Sequence, residues 1–355
     1  MKQIIALLFS WFILFPAKAE NSARDYKIIK EWNVDANTAF ELLAGYQNFK
    51  VEIWDKDVVR IEFVMETNSG KMDEEDFKNG LKINAERSPN KLKVSTSMNE
   101  RSSSIWSWIF SSNKSKDAYK ISNTVYLPKS LASLSFSLNY CELIIGDINI
   151  PTKINSNYGD VSVLKNKNRT TINTTYSNVT FGEMSHLKIS ASYTDFILNA
   201  IDTLTIVSSY GDIKLTTCSL LQSLNMNYGD ITIGKVGYIK STSTYSDIKI
   251  NQLMQEVNAT LTYCDLKLNN LSKNISGIAV TGVYTDCTIK INPENPVNLV
   301  VNDVNGDISM NNQRLIITKK HETSNTMNMT AKTKSAVETS PTIKINSKNS
   351  DLIIN

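Results

Sequence analysis

The sequence predicts an all-β protein: a right-handed parallel β-solenoid of 17–18-residue coils with an N-terminal β-rich cap. Three observations predict it. A Tyr-x-Asp-aliphatic motif recurs at near-constant spacing. Apolar and polar residues alternate on both sides of it. Gly, Ser, Thr, Asp and Asn fill most of the two positions after the tyrosine, where a coil must turn.

The motif begins at Tyr140-Cys-Glu-Leu143 and continues at Tyr158, Tyr176, Tyr193, Tyr210, Tyr228, Tyr245, Tyr263 and Tyr284, in steps of 18, 18, 17, 17, 18, 17, 18 and 21 residues. An isolated early copy stands at Tyr46-Gln-Asn-Phe49, and two copies without Tyr stand at Asn305-Gly-Asp-Ile308 and Asn349-Ser-Asp-Leu352. Ten of the fourteen tyrosines share this register, which a single self-stacking unit requires and chance does not supply. An antiparallel sandwich of short strands has no need for the same corner residue in every unit, whereas a stack does, because each corner rests on the one below.

Around Tyr228, Leu224 and Met226 alternate with polar residues, and Ile231 and Ile233 alternate in the opposite parity. The inward set therefore changes phase across Gly229-Asp230, which places a bend there. Extending the parity of Leu224 and Met226 puts Tyr158, Tyr176, Tyr193, Tyr210, Tyr228, Tyr245, Tyr263 and Tyr284 on the inside, as an interior ladder of stacked rings. The small residues two before the Tyr (Ser156, Thr174, Ala191, Ser208 and Ser243) are read as room for those rings. A coil of this length has a contour of roughly 58 Å, and about eleven coils make a rod roughly 50 Å long. Parallel crossovers of this kind are right-handed.

Residues 1–19 read as a signal peptide: Lys2, an apolar run from Ile4 to Phe15, and Ala17-Lys18-Ala19 before Glu20. Its removal takes Lys2 and Lys18 and lowers the formal charge from +3 to +1, with no basic cluster suited to nucleic acid and no later apolar run long enough for a membrane span. Residues 20–130 form the N-terminal β-rich part with the first coil and cap insertions. There Phe49–Trp54 and Val58–Phe63 are expected to pair as strands, and Met72-Asp-Glu-Glu-Asp is expected to open a short helix or a long loop. Lys91–Ser95 and Lys120–Pro128 read as two further strands. Residues 131–355 form the repeat array, with a loop insertion near 318–340 before the last coil. Cys141, Cys218, Cys264 and Cys287 fall in different coils or registers, so free, mostly buried thiols are expected.

The corner column Asp160, Asp195, Asp212, Asp230, Asp247, Asp265, Asp286 and Asp307 is the first candidate for chemistry. Stacked carboxylates suit Ca²⁺. Asn178 holds the same place without charge, however, which favours a structural corner that accepts amide hydrogen bonds. Trp106, Trp108 and Phe110, on a Ser-flanked segment, are the candidate binding surface, or else part of a hairpin covering the open end of the stack. His186 and His321 have no metal-ligand spacing, and no nucleophile elbow, P-loop or zinc motif occurs, so neither a catalytic residue nor a metal or other cofactor is assigned.

The coils, the opening strand ending in Trp54 before Val58-Val-Arg-Ile61, and Val125-Tyr-Leu-Pro128 ahead of the array together resemble the bacterial putative-adhesin β-strand-repeat family, related to the head domains of auto-transporter adhesins. The resemblance implies export and a right-handed β-solenoid, and it carries over no functional residues. Tyr stands here where that family more often has a small residue before Gly-Asp. The expected function is an exported, non-enzymatic cell-envelope protein that binds a cell-surface, glycan or envelope-protein ligand. A periplasmic structural or sensing accessory is the alternative, and a polysaccharide-active enzyme ranks below both.

Overall fold

The structure, a computed structural model, describes residues 24–67, 74–98 and 119–355, except 293 and 312. The signal-peptide segment and Trp106, Trp108 and Phe110 lie outside the described residues.

In chain order the elements are β1 (Arg24–Asn33), β2 (Ala39–Gly45), β3 (Phe49–Trp54), β4 (Val58–Thr67), α1 (Glu74–Gly80), β5 (Leu81–Ser88), β6 (Lys91–Met98) and β7 (Tyr119–Pro128). The stack continues with β8 (Ser133–Asn139), β9 (Leu143–Ile148), β10 (Thr152–Asn157) and β11 (Val161–Ser209), which winds through successive coils, then β12 (Ile213–Asn227), β13 (Ile231–Thr244) and β14 (Ile248–Thr262). It ends with β15 (Asp265–Leu268), β16 (Gly277–Val283), β17 (Asp286–Ile289), β18 (Asn298–Val304), β19 (Ile308–Met310), β20 (Leu315–Glu322), β21 (Thr326–Thr333), β22 (Thr342–Lys348) and β23 (Leu352–Ile354).

The chain is a β-solenoid, a long and mostly parallel sheet that is not closed into a barrel. Each coil lays its strands on the same strands of the next. Met226 pairs with Ser243 and Ser243 with Leu261, while Ile213 pairs with Ile231 and Ile231 with Ile248. Inward positions form apolar columns such as Ile201, Cys218, Val236 and Leu253, all buried. One column is broken by Asn166. Its Nδ2 donates to the Ile150 carbonyl (3.0 Å) and to Thr170 Oγ1 (2.9 Å), and its Oδ1 accepts the Asn168 N–H (2.9 Å). The four cysteines are free and buried, as their register predicts.

Both ends depart from chain order. At the N-terminal end, β2 and β3 form the first coil, yet β6 and β7 stack on its outer side in parallel. Antiparallel β5 then pairs with β6, β4 with β7 and β1 with β4. Thus β3 and β4, expected to pair with each other, instead flank β7. The acidic stretch opens a seven-residue helix, α1, whose Phe77 is buried in the core.

At the other end the last coil in sequence is not the last in space. β22 pairs with β16 on one side and β18 on the other, and β23 lies between β17 and β19. The expected loop near 318–340 is in large part a β-hairpin of β20 and β21, and β21 runs antiparallel along β18. The reason is physical: an exposed coil end offers a full row of unpaired backbone groups, and the hairpin satisfies them.

Candidate binding surface: the outer tyrosine ladder

The tyrosines form a ladder, but it stands outside the core, and the expectation of an interior ladder is overturned. Tyr140, Tyr158, Tyr176, Tyr193, Tyr210, Tyr228, Tyr245, Tyr263 and Tyr284 are each 43–50% exposed. The cause is the backbone. All of them, and Tyr46, have φ between 51° and 60°, as do Asn305 and Asn349 in the two coils without Tyr. A left-handed residue interrupts strand alternation, so parity cannot be carried across it. The residue after the left-handed Tyr or Asn points inward instead. Ser177, Thr194, Ser246, Cys264, Thr285 and Ser350 are buried there. Thr194 Oγ1, for example, donates to the Ser192 carbonyl at 2.9 Å, and Ser350 Oγ accepts the Thr285 N–H of the next coil at 2.8 Å. At Gly211 (φ 155°) a Cβ would lie 2.1 Å from the Thr194 carbonyl oxygen, so this coil has no room for more than hydrogen. The small residues Ser156, Thr174, Ser208 and Ser243 are buried inside the same narrow corner and do not make room for rings.

The ten rings from Tyr46 to Tyr284 stack face to face, with centroids 4.7–5.0 Å apart and planes within 9° of parallel. Nine such steps span roughly 44 Å, the strand spacing repeated along the axis. Asn349 and Asn305 continue the column, with Asn305 Nδ2 donating to Asn349 Oδ1 at 3.2 Å. A left-handed conformation costs an ordinary residue about 1–2 kcal/mol. A stacked aromatic pair contributes about 0.5–1.5 kcal/mol beyond its buried area, so stacking largely offsets the strain.

On one side of the ladder runs the corner carboxylate column. Its carboxylates reach along the axis: Asp195 Oδ1 accepts the Asp212 N–H (2.8 Å), Asp212 Oδ1 the Asp230 N–H (3.0 Å), and Asp247 Oδ1 the Asp265 N–H (2.9 Å). Asp160 Oδ1 does the same for Asn178 (3.0 Å). At the displaced C-terminal coil, Asp286 Oδ1 accepts from Asp351 (2.8 Å), and Asp351 Oδ1 from Asp307 (3.2 Å). The column thus follows spatial order rather than sequence order. The Asp230 carboxyl sits above its ordinary range, pushed by partial burial first and then by the charges of Asp212 and Asp247. Among the described residues no group of three or more His, Cys, Asp or Glu side chains is arranged to hold a metal ion. On the other side of the ladder lies the flat outer face of the strand before it, with rows such as Asn173, Asn225, Thr242 and Thr260 pointing outward.

Sequence reasoning found these residues but turned the tyrosines the wrong way. The signal that could have corrected it is Asn305 and Asn349, since Asn is among the few residues that tolerate a left-handed backbone.

No family model matches the chain, and no curated protein matches it. Among solved structures it is similar to a putative cell adhesion protein from Clostridium sporogenes, at 11% identity and a TM-score of 0.22 over 93% of this chain and 99% of that one. It is also similar to a putative lipid binding protein from Parabacteroides distasonis, at 14% identity and a TM-score of 0.37 over 74% and 96%. A putative adhesin from Bacteroides fragilis gives 14% identity and a TM-score of 0.30 over 74% and 97%. No function is carried over from likenesses of this size. Among the described residues no helix is long and apolar enough to cross a membrane.

Proposed function

We propose that this chain is an exported, non-enzymatic, adhesin-like binding module of the cell envelope. Its contact surface is the tyrosine edge with the Ser/Thr/Asn face beside it. The observation that carries this reading is the exposed ladder itself. Asn or Gly would hold the corner backbone with less strain. Phe would stack as well as Tyr, and the chain has eleven Phe, yet none occupies this position. What Tyr adds in the ten coils that carry it is a hydroxyl on a rigid ring, a directional hydrogen-bonding group. Tyrosine is favoured at contact surfaces for that combination.

The test is adherence of the purified mature chain to glycan-coated, mucin-coated and envelope-coated surfaces, compared with the triple variant Tyr210→Asn, Tyr228→Asn, Tyr245→Asn. Each substitution keeps a residue that accepts the corner backbone. Loss of three contact residues worth about 1 kcal/mol or more each lowers binding at least about a hundredfold. Unchanged adherence in the folded variant overturns the reading. Protease shaving of intact cells then locates the protein: cleavage from outside fits an adhesin, and protection until the outer membrane is opened fits a periplasmic accessory.

A further inference from the structure

We infer that a guanidinium group binds in the pocket at the C-terminal end of the stack, between the last corner in space (residues 304–307) and the turn of the β20–β21 hairpin. The inference goes beyond the surface reading above and does not depend on it, since no tyrosine lines this pocket.

Its starting point is a charge inside the corner. The inward position ahead of each corner forms the column Met226, Ser243, Leu261, Gly282, Ser347 and Asp303, of which only the last is charged. Asp303 is 2% exposed. Ser347 Oγ donates to its Oδ1 at 2.5 Å, and among the described residues nothing donates to Oδ2 and no cation pairs with the carboxylate. Withdrawing a carboxylate from water costs free energy unless a cation or several donors compensate it. Gly306 leaves Oδ2 open, for a Cβ there would lie 2.7 Å from it.

No further coil is stacked beyond Asp303. Met327 of β21 pairs with it instead, and the Asn305 N–H donates to the Asn325 carbonyl at 2.9 Å, so the hairpin turn roofs the corner. The space between is about 280 Å³. Asp303, Asp307, Asp351 and Glu322 line it, Met327 adds an apolar wall, and no Lys, Arg or His lines it. Asp212 and Asp351 each accept an amide of the next coil, but Asp307 is the last corner carboxylate in space and has no next coil to serve. Among the described residues one ion pair reaches these four acids, from Lys320 Nζ to Glu322 at 2.6 Å.

Four carboxylates against one lysine select a cation, and their spread selects its shape. Among the described residues no three acidic, His or Cys side chains converge to hold a metal ion. An ammonium is likewise a compact point charge. A guanidinium spreads five N–H donors over a plane, can bridge carboxylates that do not meet at one point, and carries a stem that can lie along Met327.

The experiment is calorimetric titration of the purified mature chain at neutral pH with butylguanidinium. Comparators are butylammonium, Ca²⁺ and the blocked peptide acetyl-Gly-Arg-Gly-amide. Butylguanidinium should bind at least about tenfold tighter than butylammonium. Its affinity should fall at least about tenfold in Asp303→Ser, with the melting temperature of the free protein retained, because Ser already occupies this column at Ser243 and Ser347. Should Asp303→Ser not fold, Asp307→Asn carries the test with the same expected loss, since Asn178 shows that Asn fits the corner. The peptide arm identifies the source. Peptide binding at least about tenfold tighter than butylguanidinium supports an arginine side chain of a partner protein, and equal or weaker peptide binding supports a small guanidine compound.

Three results would overturn the inference: no binding of butylguanidinium at millimolar concentration, butylammonium or Ca²⁺ binding as tightly, or affinity unchanged in the folded variants. A lower melting temperature of Asp303→Ser with unchanged affinity would also overturn it, because the carboxylate would then serve only Ser347 and the fold.

Discussion

Replacing Tyr228 by Asn and, separately, by Val gives a test in which the two possible placements of the ring predict opposite signs. Both substitutions remove the same ring, with neighbours at 5.0 Å (Tyr210) and 4.9 Å (Tyr245). Two stacked pairs contribute about 1–3 kcal/mol, and that loss is common to both variants. The difference between them isolates the site. At φ 60° Asn is nearly unstrained, whereas a β-branched Val meets the left-handed penalty of about 1–2 kcal/mol in full. Asn should therefore be the more stable variant by about that amount. An interior position reverses the order. Burying Val gains about 1.5–3 kcal/mol, and an amide left unpaired in the core costs about 1–3 kcal/mol. Repeat arrays need not unfold in one step, so urea midpoints should be read together with hydrogen exchange in the coil around residue 228. A Val variant more stable than the Asn variant refutes the outward ladder.

Three further outcomes follow from the core and the corner. Asn166→Leu should cost about 1–2 kcal/mol despite suiting an apolar column, because the Asn168 N–H loses its acceptor and the Ile150 carbonyl is left with Thr152 Oγ1 alone; urea unfolding measures it. Burial pushes the Cys218 and Cys287 thiols up to about 12, so both should resist alkylation at neutral pH until the chain is unfolded, as read by mass spectrometry. Their folded values are raised, so their contribution to stability is complete at neutral pH. It should be lost as pH climbs from about 9, where unfolded thiols ionise, toward 12, and alkaline melts should show it. Asp230 is also raised. Asp230→Asn should therefore stabilise the fold slightly at pH 7, and the gain should vanish on acidification through the carboxylate range, where the wild-type side chain is neutral too.

The period, the corner and the columns of inward aliphatics were legible because a stack imposes the same local demand on every coil. Ile213, Ile231 and Ile248 announce a shared face by parity alone. The direction of Tyr228 was not legible by that rule. Parity holds only along an unbroken strand, and the positive φ that breaks it sits on a residue type that seldom adopts it. The order of the C-terminal coils was hidden for a different reason. Asn305-Gly-Asp and Asn349-Ser-Asp present almost the same upper and lower surfaces, so sequence cannot tell which rests on Tyr284. The hairpin of β20 and β21 was hidden because β20 is exposed over all but Leu315, and its exposed residues after Ile316 and Ile317 are polar, which reads as loop.

The intercalated coil has a mechanical consequence. A stack laid down in chain order can be peeled from its end like a zip, with one ladder of hydrogen bonds breaking at a time. Here β22 and β23 are hydrogen-bonded on both faces, to β16 and β17 below and to β18 and β19 above. Tension applied to the chain after Ile354 therefore loads two ladders in shear before the first coil comes free. The same wedge means that the coil of β18 and β19 has no seat until residues 342–354 have emerged and inserted beneath it. A segment made after β18 and β19 is thus the one that seats them.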